Sequence, residues 1–125
     1  MHKAAIVVLA DPKSGSEEAL GRLFNALAAA YDFKQQNMSV TLLFQGTGTR
    51  WAGELINREH PAYQLFMAVK DTVAGVSCGC ADVFGAREGA VACGLDLIKE
   101  NVVPGTSGLP SLARLVSEGY TVLTF

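Results

Sequence analysis

Residues 4–10, AAIVVLA, form an apolar run with no alternation in it. A strand with one face in water alternates apolar and polar side chains. A strand without alternation needs cover on both faces. That requirement points to a parallel sheet lying between helices.

The remaining chain supplies the other parts. MSVTLLF (38–44), VAGVSC (73–78) and YTVLTF (120–125) read as further strands. The segment 95–103, LDLIKENVV, predicts a helical turn and then a short fourth strand near Val102-Val103. Ala19, Leu20, Leu23, Phe24, Leu27, Ala30 and Tyr31 recur at three- and four-residue steps, which predicts one long helix over about 16–34. Ser14 and Glu17 have capping-box spacing at its start, and Gln35-Gln36-Asn37 ends it. A short helix is expected over 51–57, and another carrying Tyr63, Phe66, Met67 and Lys70. CADVFGAREGAVACG reads as one broken helix or two short ones. Ser111 to Glu118 predicts a last helix with Leu112, Leu115 and Val116 facing in and Gly119 as its cap. Strands alternating with helices give an α/β fold, a three-layer α/β/α sandwich on a mainly parallel sheet of about five strands.

A chain of 125 residues fits one domain, 1–125, with one core. Half of it (50%) is apolar and only 18% is charged. So apolar a composition predicts either an unusually large core or a surface partly buried against other subunits, and the second would make the protein a homo-oligomer. The net charge of −2, with mixed signs, speaks against bulk attraction to nucleic acid or anionic membranes. No apolar run reaches membrane-spanning length. The opening MHKAAIVVLA breaks at Asp11-Pro12 without a cleavage site. Three cysteines in such a chain read as reduced thiols, so a cytoplasmic location is expected.

In an open parallel sheet, ligands bind beyond the carboxyl ends of the strands. The loops 11–16, 45–51, 78–86 and 104–110 meet there and hold much of the polar and glycine content. Lys13, Ser14, Gly46, Gly48, Arg50 and Gly108 are the candidates for binding a substrate. Cys78 and Cys80 lie in GVSCGCADVFG at the same edge, where a helix start favours a thiolate. Arg50, Arg87 and Lys13 are the cations within reach of that reading. Both cysteines equally suit plain packing, since free cysteine is among the most buried residue types. Cys93, within AVACGLDL, favours packing. A Cys78–Cys80 disulfide is strained at this spacing. Zinc is a poor match, because structural sites use C-x₂₋₄-C spacing and Cys78, Cys80, Cys93 and His60 do not have it. QGTGTRW lacks the third glycine of a dinucleotide fingerprint and follows the second strand, so Gly46 and Gly48 read as turn formers. Trp51 reads as a cover on the core edge ahead of an exposed anchor.

Four stretches together resemble the DsrE family of small sulfur-relay proteins: AAIVVLA, LLFQGTGTRW, GVSCGCADVFGA and GLPSLARLVSEGYTVLTF. The resemblance spans nearly the whole chain. It implies an α/β/α sandwich assembling into homo- or hetero-oligomers, often trimers or hexamers, with no organic cofactor. It also implies a cysteine after the third strand that accepts sulfane sulfur from a donor protein and hands it to an acceptor. Cys80 suits the C-A-x-x-F-G form running to Gly85, and Cys78 suits the end of the strand, with a slight preference for Cys80. The leading function is a cytoplasmic sulfur carrier or sulfurtransferase. The alternatives are a non-catalytic oligomeric module binding a small ligand or anion in the same cleft, and a redox or metal sensor.

Overall fold

A computed structural model describes residues 2–125; the first residue of the expected 1–125 domain, Met1, lies outside them. The five strands are β1 (Lys3–Val8), β2 (Ser39–Phe44), β3 (Val73–Ser77), β4 (Leu97–Ile98) and β5 (Tyr120–Thr124). They pair in the order β4-β3-β2-β1-β5, and every pairing is parallel. The helices are α1 (Glu17–Gln35), α2 (Trp51–Glu54), α3 (Tyr63–Val69), α4 (Cys78–Val83), α5 (Arg87–Ala92) and α6 (Leu112–Ser117). The unalternating run is explained by its place. β1 lies between β2 and β5, and Ala4 to Val8 are all buried.

The two faces of the sheet are covered unequally. Ile6, Val8, Leu42, Phe44 and Val76 form the main core with Leu23 and Leu27 of α1, Phe66 of α3, Ala81 of α4 and Ala90 of α5. On the other face, Ala5, Val7 and Leu43 form a smaller cluster with Leu115 of α6, with Ile98, Tyr120 and Val122 half-buried around them. The third layer of the sandwich is therefore a single six-residue helix.

Four expectations change. The cap of α1 is Ser16, whose Oγ accepts from Ala19 N–H, not Ser14. The serine two residues later wins because Gly15 turns left-handed (φ 70°) and closes a separate short turn over Pro12–Ser14 first. The fourth strand is Leu97–Ile98, and Val102 is 83% exposed. The Val76 N–H reaches the Asp96 carbonyl at 2.8 Å as soon as the chain leaves α5. Gly75 permits this, since a Cβ there meets the Asp96 carbonyl carbon at 3.1 Å. In α6, only Leu115 faces in; Leu112 and Val116 are exposed. A two-turn helix at a sheet margin has one inward position, and Leu115 occupies it. The 51–57 helix is also shorter than expected, ending at Glu54.

Candidate functional site

The third strand ends one residue earlier than expected, and Cys78 is the first residue of α4. The buried Ser77 caps that helix, its Oγ accepting from the Cys80 N–H at 3.5 Å. The Gly79 N–H donates to the Gly108 carbonyl at 2.7 Å. The first-turn N–H groups expected to face a thiolate are thus partly taken up by the chain itself. Support for the sulfur comes instead from side chains.

Cys78 Sγ has two side-chain partners within hydrogen-bond range. Arg87 Nη1, on α5, approaches to 3.4 Å, and Ser107 Oγ, in the 104–110 loop, to 3.2 Å. Asp82, one helical turn along α4, holds both donors: Arg87 Nη1 at 2.8 Å and Ser107 Oγ at 2.5 Å. The Ser107 hydroxyl, and then the Arg87 guanidinium, keep the Asp82 carboxyl below the ordinary carboxylate range. Asp82 first, and Cys78 after it, hold the Arg87 guanidinium in its charged form. Cys78 is 1% exposed, whereas Cys80 is half-buried and its Sγ makes no hydrogen bond with the described residues.

Gly108 belongs to this arrangement through its backbone. Its φ of 109° suits glycine, and a Cβ there would lie 2.6 Å from the Lys99 carbonyl. A side chain at 108 would collide with Lys99 and displace the loop that carries the Ser107 hydroxyl. The Asn101–Leu109 bridge anchors the loop from behind.

The remaining candidates lie elsewhere. Arg50 spans three loops: its Nη1 donates to Asp11 at 2.9 Å and its Nε to the Phe84 carbonyl at 3.2 Å. Arg50 and Lys13 line a cavity of about 190 Å³ with Pro12, Glu54, Gly85 and Ala86. Ser14 is outside it, exposed and paired with Ser16 Oγ at 3.2 Å. Gly46 is a left-handed turn residue (φ 58°), and Gly48 is buried against the Val8 backbone. Trp51 is 3% exposed and donates to the Ala10 carbonyl, so it covers the core edge. His60 Nδ1 accepts from the Ala62 N–H within a turn. Cys93 is buried in the main core, and burial pushes its thiol pKa up, partly offset by Lys70. No three His, Cys, Asp or Glu side chains among the described residues converge on a common point suited to a metal ion.

The sequence names Arg87 as one of three cations but does not single out Asp82, and it places Ser107 only within the 104–110 loop. Asp82 stands four residues after Cys78, on the same helix face, which is a readable spacing. Nothing local marks Ser107, which is 29 residues from Cys78.

The DsrE/DsrF-like family model matches residues 2–125, nearly the full length. Comparison with curated proteins and with solved structures returns no match. The parallel sheet, the cysteine at the carboxyl end of β3 and the reach of that match agree, and the chain belongs to the DsrE/DsrF-like family.

Proposed function

We propose that the protein is a sulfur carrier whose Cys78 holds sulfane sulfur as a persulfide. The observation that supports this choice is the Arg87 guanidinium donating to Cys78 Sγ, with the Ser107 hydroxyl also in hydrogen-bond range of it. Cys80 has no such pair, and the preference therefore moves from Cys80 to Cys78. In the loading step, the Cys78 thiolate attacks the terminal sulfur of a donor persulfide. A new S–S bond forms, the donor's S–S bond breaks, and the donor leaves as a thiolate that takes up a proton. In the second step an acceptor thiolate attacks the terminal sulfur on Cys78. The cysteine leaves with the electron pair, so no external oxidant or reductant is needed. Arg87 and Ser107 stabilise the leaving sulfur in that step, as charge-assisted donors do. Cys78 is nearly inaccessible, so sulfur enters as the 104–110 loop moves off α4.

The test is to expose the protein to a sulfane-sulfur donor and read added sulfur by intact mass. Loss of loading in Cys78→Ser, with loading kept in Cys80→Ser, supports the reading. The reverse pattern moves the carrier to Cys80. If both variants load like wild type, the sulfur-carrier reading fails.

The cavity carrying Lys13 and Arg50 favours a second reading, a module that binds a small anion without using a thiol. Under it, Cys78→Ala leaves anion binding unchanged and Lys13→Ala removes it.

We also propose assembly into a homo-oligomer, a trimer or hexamer, operating in the cytoplasm with protein donors and acceptors of sulfur. The thinly covered sheet face supports the oligomer: Leu112 and Val116 of α6, which packs on β5, are exposed, and Tyr120 and Val122 of β5 are only half-buried. No helix among the described residues is long and apolar enough to cross a membrane. A monomeric mass at micromolar concentration would refute the oligomer.

A further inference from the structure

The hydroxyl of Ser107 has one hydrogen and two acceptors in reach. It lies 2.5 Å from Asp82 Oδ2 and 3.2 Å from Cys78 Sγ. One O–H cannot serve both at once. The shorter contact is in the range of a charge-assisted O–H···O⁻ bond, so the hydrogen belongs to Asp82 in this arrangement. Ser107 then presents lone pairs to the sulfur, and those accept from an S–H. A thiol is the form of Cys78 that such a partner stabilises. A thiolate needs the hydroxyl to swing round and donate.

From this competition we propose that Asp82 is a positioning residue that restrains Cys78, by claiming the single Ser107 proton the thiolate would otherwise receive. Asp82 does not touch the reacting sulfur; it acts through Ser107. Its carboxyl is held in the ionised form by that same hydroxyl and by Arg87, so the claim persists through neutral pH. Arg87 is not subject to the same contest. Its Nη1 has two hydrogens and faces both Asp82 and Cys78.

The charged surroundings are few. On α4 itself only Asp82 is ionisable besides the cysteines. From α5 come Arg87 and the exposed Glu88. From the 46–50 turn comes Arg50, already engaged by Asp11 and by the Phe84 carbonyl. Neither β3 nor the loop residues 104–110 carry a charge. Behind that loop stands Lys99, whose backbone, Cα and Cβ face Gly108. The contest over the Ser107 proton is therefore set by Asp82 and Cys78, with Arg87 bridging them.

The inference rests on Cys78 as the reactive thiol, but not on sulfur transfer. Alkylation by iodoacetamide tests it independently: the thiolate displaces iodide and forms a C–S bond, and no sulfane sulfur takes part. The alkylation rate at Cys78 is followed by tandem mass spectrometry in the full chain, at about pH 7 and at pH raised until the rate levels off as the alkaline plateau. The ratio of the two rates cancels changes in access through the loop. Asp82→Asn turns the carboxylate into an amide that donates to Ser107 and frees its proton for the sulfur. The neutral-to-plateau ratio is expected to rise about five-fold, the effect of one hydrogen bond. Ser107→Ala is expected to lower it by a similar factor. The double variant is expected to match Ser107→Ala, because the restraint runs through the hydroxyl.

A ratio that falls or stays unchanged in Asp82→Asn overturns the proposal. So does a rise in the double variant equal to that in Asp82→Asn alone, which marks plain removal of a charge. Labelling of buried Cys93 reports any variant that opens the core. In that event Asp82→Ala, which also removes the competing acceptor, is read by the same ratio. Loss of sulfur loading with this ratio pattern intact would refute the carrier function and leave the restraint standing.

Discussion

Cys78 and Cys93 are both buried thiols on the short helices that follow β3, yet the fold treats them in opposite ways. Cys78 opens α4 at the carboxyl edge of the sheet, with a guanidinium and a hydroxyl aimed at its sulfur. Cys93 ends α5 in the main core, among apolar groups, with its titration pushed up by burial. Similar exclusion from water thus gives two chemistries. The difference lies in which groups replace the water: donors at one site, hydrocarbon at the other.

The largest effect expected from this contrast is on sulfur loading. Cys78→Ala removes the proposed acceptor atom and is expected to abolish the mass gain of one sulfur. Cys93→Ala is expected to load like wild type once folded. Intact mass after exposure to a sulfane donor measures both. Equal loss in the two variants would break the contrast outright.

Removing a donor should weaken the site without erasing it. Arg87→Ala takes away the cation beside Cys78 and also the partner that orients Asp82. The loading rate is expected to fall about ten-fold, the scale of one charge-assisted hydrogen bond at a partly exposed site. Arg87→Lys keeps the charge but not the planar fork, and partial rescue is expected. A rate unchanged by Arg87→Ala would leave the guanidinium as a structural tie only.

These two sites also show what can be read from the sequence and what cannot. The run 4–8 demanded a doubly covered strand, and β1 is one, because continuous apolarity reflects a local need. Cys93 was readable as packing for the same reason: its neighbours in the chain are its neighbours in the core. The partners of Cys78 were not readable as a set. Ser107 comes to it through the turn at Gly108 and the Asn101–Leu109 bridge. Those features depend on where β4 forms, and β4 was expected five residues too late. Two residues make a strand there because Val76 bonds the Asp96 carbonyl, and a strand that short leaves no periodicity to detect. Lys13 and Arg50 stand in loops at the sheet edge, and the structure gathers them in a cavity of their own, while Ser14 and Gly48 make local contacts.

Serine substitutions sharpen the comparison through stability. At Cys78 the introduced hydroxyl meets Arg87 and Ser107, so Cys78→Ser is expected to cost less than about 1 kcal/mol. At Cys93 the same hydroxyl enters the core with no partner of that kind, and about 1–3 kcal/mol is expected. Urea midpoints at constant slope measure the pair. A larger loss at Cys78 than at Cys93 would mean the donors seen there are not available to oxygen.

The smallest effects separate the two sites by pH. Asp82 titrates below its ordinary value in the folded protein, so the folded state binds its proton less readily than the unfolded chain does. Its contribution is present above the ordinary value of about 3.9 and is lost as pH falls through the lower, folded value. Cys93 has the opposite sign. Its folded value is raised, so the folded state keeps the thiol proton longer than the unfolded chain. Below the ordinary thiol range both states are protonated and pH has no effect through this group. As pH climbs from that range to the raised value, the unfolded chain ionises first and stability declines. Asp82→Asn should therefore flatten the acid limb of a stability–pH curve, and Cys93→Ala the alkaline limb. Lys70 is the cation that offsets part of the burial at Cys93, so Lys70→Met should steepen the alkaline limb and leave the acid limb alone. A Lys70 effect on the acid limb would tie the two sites together electrostatically, which the separate partners of Cys78 and Cys93 argue against.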